Sequence, residues 1–418
     1  MTATQRTLGI DFGTSNSAAG YMQDGTVRLV AVEAEQSTLP TAFFFDFDNR
    51  ATLIGNAAQS SLLNGENGRY MRALKRVLGT GLMHEKRQIL NERVTFVDII
   101  GRFLKHLKVA AERESGLPFT HALSGRPVVF HGADDPREAQ AEADLRACYM
   151  AAGFENVSFM AEPEAAARAA DASDTGGLGL IVDIGGGTSD FSVFRQNGAS
   201  VDILANYGIR IGGTDFDRAV SIDHVMPHLG KGTRLRDVFG PGTSTIPHAI
   251  FHKLATWEEI PFLYTAQTRR SAAEMLRQSL DPDRLRRLHT VLEDELGHDV
   301  AFAVEAGKIG ANDKSGVGQI RLGEVESGLN VELSSGALDT TLHAFGPALR
   351  AAAERTVTMA RAAPEDIAKV VYVGGSSLMG LVTNEMETLF PAADHTFSEV
   401  FTAVAKGLAI AAGDLDSS

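Results

Sequence analysis

One cysteine, Cys148, stands in 418 residues, so no disulfide can form within the chain and a reducing compartment suits it. In a predicted helix it reads as a small buried apolar residue. Cationic residues are also short. Lys and Arg number 39 against 53 Asp and Glu, and the net charge of -14 argues against a general nucleic-acid or anionic-membrane surface and favours a monomer. No apolar run approaches the ~18 residues of a membrane span. The polar start MTATQRTLGI enters a strand without a basic-plus-apolar leader, so the expectation is a cytoplasmic protein. Absent too are HExxH, paired CxxC, GxSxG, the Walker loop GxxxxGK[ST] and a dinucleotide GxGxxG between strand and helix. His224 and His228 share helical spacing, but Pro227 between them speaks against a metal pair.

What the chain does contain is one pattern used twice. LGIDFGTSNS runs from Leu8 to Ser17 and LIVDIGGGTSD from Leu180 to Asp190. Each opens as a buried strand, turns through glycine beside small hydroxyl residues, and continues into a strand that ends at a two-residue turn signal, Asp24-Gly25 or Asn197-Gly198. Two such turns face to face would gather two carboxylates, hydroxyls and free backbone N–H groups around one cleft, which suits a polyphosphate and a metal ion. Asp11 and Asp183 are placed to hold a hydrated magnesium or the attacking water. Gly13, Gly185, Gly186 and Gly187 let the backbone approach phosphate oxygens, and Thr14, Ser15 and Thr188 add hydroxyl donors.

The rest of the chain alternates strand and helix. Thr95 with Asp98 predicts a capped helix whose apolar face runs through Val97, Ile100, Phe103, Leu104, Leu107 and Ala111 until Gly116 and Pro118. A strand is expected near Pro127 to Phe130, a helix from Pro136 through Met150, and a short strand VSFM that delivers AEPEAAARAA. Asp281-Pro282 starts a later helix, a break near Gly297 precedes a helix into Lys308, and VVYVGG from Ile367 ends in a further glycine turn. Thr402 to Ala412 forms the closing helix, with DLDSS after Gly413 as a tail. The expectation is an α/β protein of two duplicated lobes, each with a mixed sheet. Lobe I takes 1–176 plus 395–418, with an insertion at about 41–117; lobe II takes 177–394, with an insertion at about 223–314. The tract Thr175-Gly176-Gly177 reads as the crossing between them.

IDFGTSNS, KRVLG at Lys75, EPEAAA at Glu162, VDIGGGTSDFSV, GGTDFD at Gly212 and VGGSS at Val373 come in one order and spacing. That order resembles the ATPase domain of the seventy-kilodalton heat-shock chaperones, the DnaK type, over nearly the whole chain. Without a substrate-binding domain, and with a long insertion before residue 300, the chain looks most like the short YegD-type members. The resemblance implies an actin-like, ribonuclease H-like ATPase fold with nucleotide between the lobes. It also implies a chaperone-like protein that binds ATP and slowly hydrolyses it to ADP and phosphate, with lobe closure as the output. Magnesium is the implied cofactor, with potassium as a further cation, and client proteins are left open.

By the same resemblance, Lys75 is the essential lysine at the γ-phosphate and Glu162 lies near the attacking water. Asp190 joins Asp11 and Asp183 as a metal residue, and Gly212, Gly213 and Thr214 reach the phosphates from the other side. Glu305 and Lys308 match the ribose-contacting helix, on which Asn312 replaces a serine, and Gly374, Gly375 and Ser376 match the loop under the adenosine. Ile309 and Leu378 replace two arginines that flank adenine, and Phe401 replaces an aspartate near the base. A sugar-kinase-type enzyme, an actin-like filament ATPase and a binding-only relative remain as alternatives.

Overall fold

In the computed structural model, residues 6–33, 36–132, 134–169, 177–197, 200–237, 240–313, 315–397 and 402–417 are described. Strand β1 is Thr7–Phe12, buried throughout except at Asp11. Strands β2 (Asn16–Gln23) and β3 (Thr26–Leu29) form the expected hairpin, with Asp24 and Gly25 at φ 52° and 71°, the left-handed pair that a two-residue turn needs. Parallel strands β4 (His121–Arg126) and β5 (Asn156–Ala161) extend the sheet on the other side, in the order β3-β2-β1-β4-β5. A two-residue strand, Leu39–Pro40, also pairs with β2.

The strand expected at Pro127 to Phe130 lies earlier, at His121–Arg126. Proline has no N–H for the ladder, and the next amide, Val128 N, donates instead to the Asp190 carboxylate at 2.8 Å.

The second sheet repeats the first. Its strands β6 (Leu178–Ile184), β7 (Ser189–Asn197), β8 (Ser200–Ile209), β9 (Ile367–Val373) and β10 (Asp394–Phe397) lie in the order β8-β7-β6-β9-β10. Again the first strand is antiparallel to its hairpin partner and parallel to its other neighbour. Gly198 of the second turn signal, Thr175 and Gly176 of the crossing tract, and Phe401 lie outside the described residues.

Helix Phe96–Ser115 starts at the Thr95–Asp98 capping box and stops at Gly116, φ 71°. Helix Arg137–Ala151 links β4 to β5, as Gly380–Leu389 links β9 to β10. Cys148 is fully buried on the former, and burial pushes its thiol pKa up. The terminal helix of each repeat crosses to the other sheet. Glu162–Ala169, which follows β5, packs on β6 and β7, while Ala403–Ser417, which follows β10, packs on β1 and β2, and the two helices pack on each other. Leu123, Ala165, Ile181, Val371, Val404 and Leu408 therefore share one core. The closing helix runs past Gly413 to Ser417, where an irregular tail was expected. Asp416 accepts hydrogen bonds from Thr7 N and Thr7 Oγ1, at 3.0 and 2.7 Å, and holds the last turn against β1.

The chain divides into two compact units, Met1–Gly213 with Phe345–Ser418, and Thr214–Ala344. Both sheets belong to the first. The second holds helix Pro282–Glu293, begun at Asp281 as its sequence predicts, helix Gly297–Asn312, and the hairpin Val317–Arg321 with Asn330–Ser334. His224 and His228 sit in consecutive, different helical turns, Ser221–Val225 and Met226–Leu229, and His224 Nε2 lies 2.8 Å from Thr341 Oγ1. Among the described residues no helix is long and apolar enough to cross a membrane.

Gly407 lies on the Ala165 backbone so closely that an added Cβ would come within 3.0 Å of Ala165 Cα. Rigid main chain cannot yield as a side chain would. Gly407→Val is expected to destabilise by about 1–3 kcal/mol or more, read as a lower urea midpoint at unchanged slope.

Candidate functional site

Each sheet ends its central strand in an aspartate, and the two glycine turns beyond them meet. A Cβ on Gly186 would stand 2.6 Å from Ser15 Oγ and 3.0 Å from Thr14 Cβ, so the second turn approaches the first as only glycine allows. Gly187 lies against Thr14 Oγ1 and the stem of Arg76. Gly213 N donates to Gly185 O at 2.9 Å, and a Cβ on Gly212 would strike the Gly187 N at 2.5 Å. Gly374, at φ 82°, follows β9 directly beside Asp183, whose Oδ1 a Cβ there would approach to 2.9 Å. Gly375 and Ser376 continue in the short helical turn Gly375–Leu378, with the Ser376 side chain against Gly213. Gly13 is held by its own tight turn, packed on Asn16.

Lys75 reaches the same place from the short helix Leu74–Val77. Ala73 before it is buried and adopts φ 61°, a left-handed conformation that is costly for a residue with a Cβ. The Lys75 ammonium lies 2.6 Å from Glu162 Oε1, with side-chain exposures of 8% and 12%. Gly125 leaves room for that glutamate, since a Cβ there would sit 3.2 Å from Glu162 Cγ. Asp183 and Asp190 face each other in the β6–β7 register, and both are buried.

The electrostatics follow from the count. Four carboxylates, of Asp11, Glu162, Asp183 and Asp190, surround one ammonium. Burial, then Glu162, pushes Asp11 up to about 7 against the pull of Lys75. Burial and Glu162 likewise raise Asp190 to about 8, although Val128 N, the Thr188 side chain and Lys75 all favour its ionised form. Asp183 is held well above the usual carboxylate range by burial and then by Glu162, Asp190 and Asp11. Burial alone would lower Lys75, but Glu162, Asp11 and Asp190 outweigh it and hold the ammonium above its ordinary value.

Such a set is short of positive charge, and hard oxygen donors are what magnesium takes. Among the described residues no three acids or imidazoles converge into a ready-made metal cage. A cation that keeps most of its waters, and touches one or two carboxylates, fits this set.

Other predicted residues lie in the second unit. Lys308 is 5% exposed and its ammonium is 2.6 Å from Asp217 Oδ1, while Trp257 Nε1 donates to Asp217 Oδ2 at 3.1 Å. Burial raises the Asp217 pKa, Lys308 opposes that, and Glu305 adds to it. Asp217 belongs to the GGTDFD segment but had no assigned role; its long-range partner is invisible in the sequence. Thr214 lies in the first turn of helix Gly213–Val220, Asn312 ends helix Gly297–Asn312, and Ile309 on the latter is 60% exposed. In the first unit Leu378 is 44% exposed.

The Hsp70 protein family matches residues 7–238 of this chain. The Chaperone protein DnaK of Cenarchaeum symbiosum (strain A) is 26% identical over 424 aligned residues, which cover 98% of this chain and 54% of that protein. The chain thus spans about half the length of the curated relative it matches.

Asp190 supplies a stability test. Its folded-state pKa of about 8 lies above the ordinary 3.8, so the folded chain keeps the proton that the unfolded chain loses. The stability this proton linkage provides is complete below the unfolded value and is lost as pH rises toward the folded one. Asp190→Asn keeps an acceptor for Val128 N and removes the titration. It is expected to stabilise the ligand-free protein more at about pH 8 than at about pH 5, by at least ~1.4 kcal/mol, in paired urea titrations.

Proposed function

Because the chain belongs to the Hsp70 family, whose fold is that of the actin-like ATPases, we propose that it binds ATP with magnesium and slowly hydrolyses it to ADP and phosphate. The observation that carries this reading is the buried Lys75–Glu162 pair among three aspartates at two facing glycine turns. The glycine turns offer backbone N–H groups, and Thr14, Ser15 and Thr188 hydroxyls, to phosphate oxygens. Lys75 brings a fixed positive charge to the phosphoryl group as negative charge builds on it. Glu162 orients that ammonium and would accept a proton from the attacking water. Asp11, Asp183 and Asp190 would hold magnesium, whose charge would offset that of the phosphates.

Gly212, Gly213, Gly374, Gly375 and Ser376 line the same turns, and closure of the lobes on ATP is the conformational output of this reading. This reading does not require client binding. A cytoplasmic setting, with ATP and magnesium at hand, suits the chemistry.

Phosphate release from ATP without any added acceptor is the direct assay; strict dependence on an acceptor would favour a kinase instead. Lys75→Ala and Asp183→Asn are each expected to lower turnover by at least about 100-fold, with circular dichroism unchanged. Undiminished turnover in both variants overturns the assignment. Calorimetry with ATP, ADP and GTP in magnesium then reads base choice, for which the sequence offers Ile309 and Leu378 where the resemblance implies arginines.

A further inference from the structure

The segment that carries Lys75 is tied down by groups the phosphate chemistry leaves unused. His131 Nε2 lies 2.6 Å from the Leu78 carbonyl oxygen, and His131 Nδ1 lies 2.8 Å from an Arg210 guanidinium nitrogen. A carbonyl only accepts and a guanidinium only donates, so the ring must be neutral with its proton on Nε2. Arg210 also donates to Arg76 O at 3.1 Å, and thus grips the segment twice, once directly and once through the imidazole. Asp144 accepts from Gly79 N at 2.9 Å from the other side. The fit is close. Gly79 has φ 78°, and a Cβ there would stand 2.9 Å from His131 Nε2.

The imidazole is itself fixed from behind. Glu138 accepts from Phe130 N and His131 N at 2.8 and 2.9 Å, and from Arg126 at 3.0 Å. Three residues earlier on the same loop, Val128 N holds Asp190. One loop therefore touches both the second phosphate turn and the lysine segment.

We infer that His131 is a positioning residue for the hydrolysis proposed above, on which this role rests: its neutral Nε2–H tautomer, read by Arg210, fixes the Leu78 carbonyl and so holds Lys75 at Glu162. A lysine side chain has four flexible bonds, and the turn that bears this one starts from the left-handed Ala73, so the segment needs anchoring from outside. The charged groups that face the ring are Arg210, Arg137 and Asp135. Burial lowers its pKa first; the Leu78 bond opposes that, Arg210 and Arg137 lower it further, and Asp135 opposes. Protonation would aim an N–H at the guanidinium and break the Arg210 contact.

The test compares wild type, His131→Ala and His131→Gln. A glutamine amide can donate to Leu78 O and accept from Arg210, but it does not titrate. His131→Ala is expected to lower kcat by about tenfold with KM for ATP changed less than about twofold. His131→Gln should restore most of kcat near neutral pH and retain more of it than wild type as pH falls. Nitrogen NMR of the ligand-free, histidine-labelled wild type should show the Nε2–H tautomer. An Nδ1–H tautomer, or equal behaviour of the two variants in a hydrolysing background, overturns this role alone. Absence of phosphate release from the wild type overturns the hydrolase reading and this role with it.

Discussion

Lys75 is a single ammonium group among four carboxylates, and the charge balance at the two glycine turns depends on it. Desolvated carboxylates at this density repel one another strongly, and the 2.6 Å contact with Glu162 offsets only part of that. The remainder appears as proton affinity: Asp11 and Asp190 are raised to about 7 and about 8. A site in this condition does not suit a bare polyphosphate, which would add further negative charge. It suits a polyphosphate that arrives with its cation, since a divalent metal offsets the carboxylate charge.

The fold supplies that juxtaposition by repetition. In both sheets the first strand lies centrally and carries its aspartate at the end where the hairpin turns back. The crossing of the two terminal helices gives the sheets one core, so the turns are positioned by packed elements rather than by their own loops. Glycine is then required where the turns touch. At Gly186 and Gly212 a single added carbon would meet Ser15 or Gly187 within 2.6 Å. The closeness of the two turns leaves no room for side chains there.

The sequence made the local parts of this arrangement readable. The Asp24-Gly25 turn, the Thr95–Asp98 box and the Asp281 cap are decided by neighbours within a few residues, and each formed where expected. The duplicated Asp-Gly turns were legible because chemistry and backbone demand the same residues there. The strand at His121–Arg126 was misplaced because the apolar Pro127 to Phe130 run looks extended, while its amide at Val128 is taken by Asp190, 62 residues away. His131, Arg210 and Asp144 carried no motif at all. Their partners, Leu78, Arg76 and Gly79, lie between 53 and 134 residues distant, and only the fold connects them.

Lys308, too, has a partner that only the fold supplies. Its place in the sequence suits a ribose contact, yet its ammonium is buried in a 2.6 Å pair with Asp217, and Trp257 occupies that carboxylate's other oxygen. Breaking one side of a buried pair typically costs about 3–5 kcal/mol, more than one hydrogen bond to a sugar hydroxyl returns. Lys308 therefore acts first as the counter-charge that lets Asp217 stay inside its unit. On the same helix Ile309 turns an apolar side chain outward, 60% exposed, where an arginine would have carried charge. Charge and hydrogen-bond geometry are concentrated instead at Lys75, Glu162 and the aspartates of the first unit.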